Sequence, residues 1–173
     1  MPAENEGYRE YVGARLESLR RTAYLLCGDW HTADDLVSTA LVKLLRHWRR
    51  VSVMDNPDAY VRRVLLRAWL DERRRPWRRE AAWFEVPDQP ASVCGTEGAA
   101  DRLTILALLA ELPPRRRAVL VLRYFCDLSV EETAREMGCS VGTVKSQSAR
   151  AIGALRERLV GASTRAEGTR TDG

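Results

Sequence analysis

Soft metal ligands are scarce in this chain of 173 residues, with only two histidines and four cysteines, and no two cysteines form a C-x-x-C pair. Cys27 and His31 can share a helical face, but a structural zinc site takes four ligands, so no metal is expected. The cysteines at 27, 94, 126 and 139 read as free thiols. Cys94 is the one expected at the surface, and a redox role for it stays open. No apolar run approaches the ~20 residues that span a bilayer, so no membrane association is expected. The first residues, MPAENEG, are acidic and polar and lack the order of a signal peptide, which points to the cytoplasm. Neither a glycine-rich phosphate loop nor a nucleophile motif accompanies His31 and His47, so neither an enzyme nor a cofactor is expected. Alternating strand patterns and internal repeats are also missing, which leaves an all-α class.

Charge is what the chain has in quantity, and it is unevenly placed. Residues 62–79 carry eight arginines against Asp71 and Glu72, whereas residues 80–100 carry four acids and no base. Residues 101–160 return to a positive balance, ten bases against seven acids. Two basic blocks around an acidic connector predict two polyanion-binding surfaces joined by a segment that avoids them. The connector holds Pro87, Pro90, Gly95 and Gly98 with no sustained period. The expected architecture is therefore two small helical domains, 8–79 and 101–160, an acidic linker at 80–100 and a disordered tail at 161–173.

In the first block, apolar residues at 8, 12, 16, 19, 23 and 26 predict a helix that Gly28 and Asp29 end. Thr32 is expected to cap the next helix, with Asp35 three residues on, and Leu36, Val37, Ala40, Leu41, Leu44, Leu45 and Trp48 form its apolar stripe. A loop at 50–56 leads to Pro57, which suits the first turn of a helix burying Val61, Leu65 and Trp69. The second block opens with a helix that stops at Leu112-Pro113-Pro114, followed by another at 115–125.

Residues 129–159 read as a helix-turn-helix. Ser129 and Glu132 form a capping box, Gly138 suits a left-handed C-terminal turn, and Ser140 caps a second helix from Val141. On that helix Thr143, Gln147 and Arg150 lie within about 60° of one another, flanked by Lys145 and Ser146. From Ser140 to Arg156 there is no carboxylate to repel phosphate, and the small residues Ser140, Gly142 and Thr143 let the positive helix end approach a backbone. Such a face fits the major groove of duplex DNA.

Four segments in order resemble the extracytoplasmic-function (ECF) group of the sigma-70 family of bacterial RNA polymerase sigma factors, in an actinobacterial form. They are DDLVSTALVKLL at 34–45, NPDAYVRR at 56–63, LPPRRRAVLVLRY at 112–124, and LSVEETAREMG with SVGTVKS across 128–146. The resemblance implies sigma domain 2 joined to sigma domain 4. Domain 2 would bind the clamp helices of the polymerase β′ subunit and open the minus-ten element. Domain 4 would bind the β flap and read the minus-thirty-five element. Free in solution the chain would be a monomer, and an anti-sigma partner is common in the family.

Under that resemblance Asp35, Ser38, Thr39, Val42 and Arg46 are the expected polymerase contact; the family usually has glutamine in place of Ser38. Trp48, Asn56, Tyr60, Arg63, Arg67 and Arg74 are the expected minus-ten and melting residues. An unstacked base needs a pocket, and separated backbones need cations. The run at 73–79 either holds phosphates or solvates a helix end. Ser140, Gly142, Thr143, Lys145, Ser146, Gln147 and Arg150 are the expected minus-thirty-five set, with Gln147 standing where many relatives carry arginine. The rival reading is a stand-alone dimeric helix-turn-helix regulator, which would leave residues 32–79 without a task.

Overall fold

Local capping sets where the helices of the first block begin and end. The computed structural model describes residues 2–74 and 99–168. Helix α1 spans Pro2–Cys27, beginning well before Tyr8, and gives way at Gly28, whose φ of 80° is the left-handed backbone that glycine accepts readily. Helix α2 spans Trp30–Val51. Its cap is Asp29, not Thr32: the Asp29 carboxylate accepts the Thr32 amide at 2.7 Å. The aspartate competes successfully because it brings full charge to the helix end. Helix α3 spans Pro57–Arg74, and Asn56 Oδ1 accepts the Ala59 amide at 3.0 Å.

These three helices bury one stripe each. Leu19, Ala23 and Leu26 of α1 meet Leu36, Val37, Ala40 and Leu44 of α2 and Val61, Leu65, Leu66 and Trp69 of α3. Polar groups fix the edges of this packing. Tyr8 donates to Leu41 O at 3.1 Å and Tyr11 to Asp58 Oδ1 at 2.7 Å, while Arg20 pairs with Asp34 at 2.6 Å. Burial, reinforced by the Asp58 hydrogen bond, pushes the Tyr11 phenol well above its ordinary range.

The second block contains α4 (Ala99–Ala110), α5 (Pro114–Leu120), α6 (Val130–Met137) and α7 (Val141–Gly168). Pro114 opens α5 at a position where no intrahelical amide is needed. The helix expected over 115–125 does not stay α-helical: Val121–Phe125 forms a π turn, closed by Cys126 N donating to Val121 O at 3.0 Å. Asp127 then takes φ 54°, a left-handed conformation that aspartate tolerates better than most residues. At its far end α7 runs to Gly168, past the tail expected from 161. Residues 162–167, ASTRAE, contain no proline to stop it. No strand occurs among the described residues. The acidic linker lies almost wholly outside them, and Cys94 with it.

The two blocks share a core. The buried cluster built on α1–α3 continues through Ala118, Val119, Val121 and Leu122 to Ala134, Met137 and Val144. Arg62 of α3 meets Glu136 of α6 through a bidentate contact whose shortest arm is 2.7 Å, with the two side chains 15% and 5% exposed. Burial pulls the Arg62 guanidinium down, but the hydrogen bonds and charge of Glu136 outweigh it and raise its pKa. Arg117 of α5 donates from Nε to Leu25 O of α1 at 2.7 Å. Its Nη2 is buried and makes no hydrogen bond among the described residues. Burial, with Arg73 nearby, pushes the Arg117 guanidinium down to about 10.

Candidate nucleic-acid interface

The helix-turn-helix is held by the caps its sequence calls for. Glu132 N donates to Ser129 Oγ at 3.0 Å and Ser129 N donates to Glu132 Oε2 at 2.7 Å, so both halves of the capping box form. Hydrogen bonding to the carboxylate, from the Ser129 amide first and then from its hydroxyl, holds the Glu132 carboxyl below its ordinary range. Gly138 turns the chain with φ 63°, and Cys139 N donates back to Ala134 O at 3.0 Å. Ala134 is buried where α6 crosses α7, and Val144 and Ala151 anchor α7 from the other side.

The start of α7 is tied down by hydroxyls. Thr143 N donates to Ser140 Oγ at 3.1 Å, and the two hydroxyls of Ser140 and Thr143 lie 2.9 Å apart. Ser146 Oγ donates to Thr143 O at 3.0 Å, which leaves its lone pairs directed away from the helix. Gly142 is exposed, and a side chain there would meet only Ser140 Oγ at an ordinary 3.8 Å. Internal packing therefore does not demand the glycine, but close approach of an external backbone would. Lys145, Ser146 and Arg150 are exposed, while Thr143 and Gln147 are half-buried. Gln147 has a partner that the sequence did not reveal: Arg116 Nε of α5 donates to its Oε1 at 3.3 Å.

On α2, Asp35, Ser38, Thr39, Val42 and Arg46 are all exposed, and Leu45 beside them is 49% exposed. The five lie together opposite the buried stripe, as 100° per residue requires. On α3, Arg67 and Arg74 are exposed and Arg63 and Tyr60 half-buried, with Arg63 Nε donating to Ala59 O at 3.3 Å. Arg62, one residue before this group, points the other way into the ion pair with Glu136. Two expected base contacts also have partners inside the protein. Asn56 is exposed, but its amide oxygen caps α3. Trp48 packs against Tyr8 and Tyr11, with ring centroids 5.7 and 5.5 Å away, because α1 extends far enough to cover it. Trp69 is core, as its stripe position requires.

Sequence reasoning also missed an apolar groove. Ile105, Leu108, Tyr124, Phe125, Ile152 and Leu159 line a cavity of about 610 Å³ on the second block. Ile105, Tyr124, Phe125 and Leu159 are each about half exposed, an unusual concentration of apolar surface. The doublet Tyr124-Phe125 was the only hint, and it read as helix interior.

Comparison with known proteins gives this geometry a family. The model of sigma-70 region 2 matches residues 12–79 and that of sigma-70 region 4 matches residues 102–155. The RNA polymerase sigma-E factor of Streptomyces coelicolor is 38% identical over 88% of this chain and 86% of its own length. That of Streptomyces avermitilis is 40% identical over 88% and 84%. The ECF RNA polymerase sigma factor SigL of Mycobacterium tuberculosis is 32% identical over 82% of each chain. The chain belongs to the ECF sigma factors. Among solved structures, the sigma factor RpoE of Bartonella quintana, crystallised with the anti-sigma factor NepR, has a TM-score of 0.74 at 24% identity, covering 89% of this chain and 97% of that one. CnrH, solved with the cytosolic domain of CnrY, has a TM-score of 0.62 at 22% identity, covering 91% and 90%. At those identities the likeness concerns the fold. The first basic block of this sigma factor and most of the second thus fall inside matched regions, and the first block belongs to a region that a stand-alone regulator would leave without a task.

Proposed function

We propose that this sigma factor divides promoter recognition between α7, which reads the minus-thirty-five duplex, and α3, which holds the opened minus-ten element. The observation that carries this is the outward, acid-free face of α7, where Lys145, Ser146 and Arg150 are exposed beside bare backbone at Gly142. Ser140 and Thr143 complete its phosphate-facing end, and Gln147 borders it. On α3, Arg63, Arg67 and Arg74 share one side with Tyr60 and supply cations for separated strands. Asn56 contributes its amide nitrogen, its oxygen being engaged. Trp48 braces α2 against α1 rather than touching bases.

The face of Asp35, Ser38, Thr39, Val42 and Arg46 is assigned to the β′ clamp helices, and the apolar groove of the second block to the β flap. On α7 the groove residues Ile152, Leu155 and Leu159 lie 120–180° from Thr143, so duplex and flap can be engaged together. The two domains are taken to divide at about 79 and 101. The chain acts as a monomer in the cytoplasm, contributes no catalytic groups to the polymerase, and is open to control by an anti-sigma factor. No described helix is long and apolar enough to cross a membrane.

Two variants separate these surfaces. Val42→Glu should abolish co-elution with core polymerase while leaving duplex affinity unchanged; Arg150→Ala should do the reverse. Loss of both activities in either variant would contradict the division.

A further inference from the structure

Between Val141 and Leu155 the recognition helix carries only two cations, Lys145 and Arg150. A third guanidinium nevertheless stands at its edge, brought from another helix. Arg116 of α5 donates Nε–H to Gln147 Oε1 at 3.3 Å. A guanidinium has five donors and no acceptor, so the amide of Gln147 must present its oxygen to Arg116 and its NH2 to the outside. Among the described residues the Nη groups of Arg116 make no other hydrogen bond or ion pair, and the side chain is half-buried rather than enclosed. Its neighbour Arg117 turns inward and is buried against α1. The pair therefore offers a fork of N–H donors and an amide NH2, with no acceptor turned outward, beside a helix face free of carboxylates.

We infer that Arg116 is a DNA-phosphate contact of this sigma factor, supplied from α5, and that Gln147 is the positioning residue that holds it against the recognition helix. The inference rests on the reading of α7 as the duplex-binding helix and extends it. Donor-only chemistry suits phosphate oxygens, which accept but never donate. It does not suit the bidentate reading of adenine, which needs the Gln147 oxygen as an acceptor aimed at the base. Gln147 thus serves affinity through Arg116, and base discrimination lies with the other residues of the face.

The test uses the full chain and a labelled duplex of mixed sequence, since a phosphate contact is independent of sequence. Affinity is followed by fluorescence anisotropy as salt is varied. One phosphate contact contributes a slope of about 0.9 in log K against log salt, so Arg116→Gln should weaken binding about eightfold at ~0.1 M salt and reduce the slope by about 0.9. The exchanged double variant Arg116→Gln/Gln147→Arg, which returns the cation to the same edge, should restore both. A mere strut between α5 and α7 would lower the melting temperature of Arg116→Gln and leave the slope untouched, which would overturn the inference. So would failure of the exchange to restore binding. If Lys145→Ala and Arg150→Ala also leave duplex binding intact, it is the reading of α7 that falls; if they weaken it while Arg116→Gln does not, only the role of Arg116 falls.

Discussion

Helices α3 and α7, the two helices proposed to face DNA, obtain positive charge in opposite ways. Five arginines lie on α3, yet one of them, Arg62, is buried in the ion pair with Glu136 of α6. Over its first four turns α7 has only Lys145 and Arg150, yet it stands beside a guanidinium on loan from α5. The charge written on a helix is therefore not the charge it presents. The difference follows from what each helix must do. An element that holds separated strands needs many cations on a mobile backbone, and can give one up to fix the neighbouring domain. An element that enters a groove needs small residues and bare backbone where it makes contact, so its cations sit at the margins.

The largest effect should come from removing the partner of Arg62. Glu136→Gln leaves a guanidinium that is 15% exposed without its carboxylate, and should lower stability by about 3 kcal/mol in urea denaturation. Replacing both partners with apolar residues, Arg62→Met with Glu136→Leu, should recover most of that loss. A single variant that loses less than about 1 kcal/mol would show that Arg62 is free to serve DNA, and the contrast between the helices would weaken. Next in size is the effect on binding. Arg150→Ala should reduce duplex affinity by ~1–3 kcal/mol if the residue reads a base. Arg63→Ala should leave duplex affinity nearly unchanged and slow strand opening, measured by permanganate reactivity of unpaired thymines. Equal effects of the two on duplex binding would erase the distinction. The smallest effect concerns the backbone of α7. A side chain at Gly153 would meet no atom within 4 Å, so Gly153→Ala should raise stability by up to about 1 kcal/mol without changing affinity. A drop in affinity would mean that DNA approaches this turn as well.

What was legible in the sequence was local. The capping box of Ser129 and Glu132, the left-handed turn at Gly138 and the cap at Ser140 each depend on neighbours within a few residues, and the structure has all of them. The exposed face of α2 followed from the helical period alone. The misses were of two kinds. At a helix end, Asp29 takes the capping place expected of Thr32, three residues further on, because charge strengthens a cap. Elsewhere the deciding partner was far away in the chain. Nothing near Trp48 announces that Tyr8 and Tyr11 will cover it, and Arg62 and Glu136 are separated by 74 positions. The π turn at Val121–Phe125 was hidden because its apolar residues satisfy an α-helical pattern equally well. Arg116 and Gln147 were both visible as residues, but their pairing is a property of how α5 lies on α7.

The central claim is that α7 and α3 act together as the two ends of a promoter-opening subunit. Transcription reconstituted from core polymerase, this chain and a fragmented genomic library, with sequencing of the transcript starts, tests it most directly. The account predicts a small set of starts that share an upstream element lost with Arg150→Ala and a downstream element whose opening slows with Arg63→Ala. Starts no different from those of core polymerase alone would contradict it.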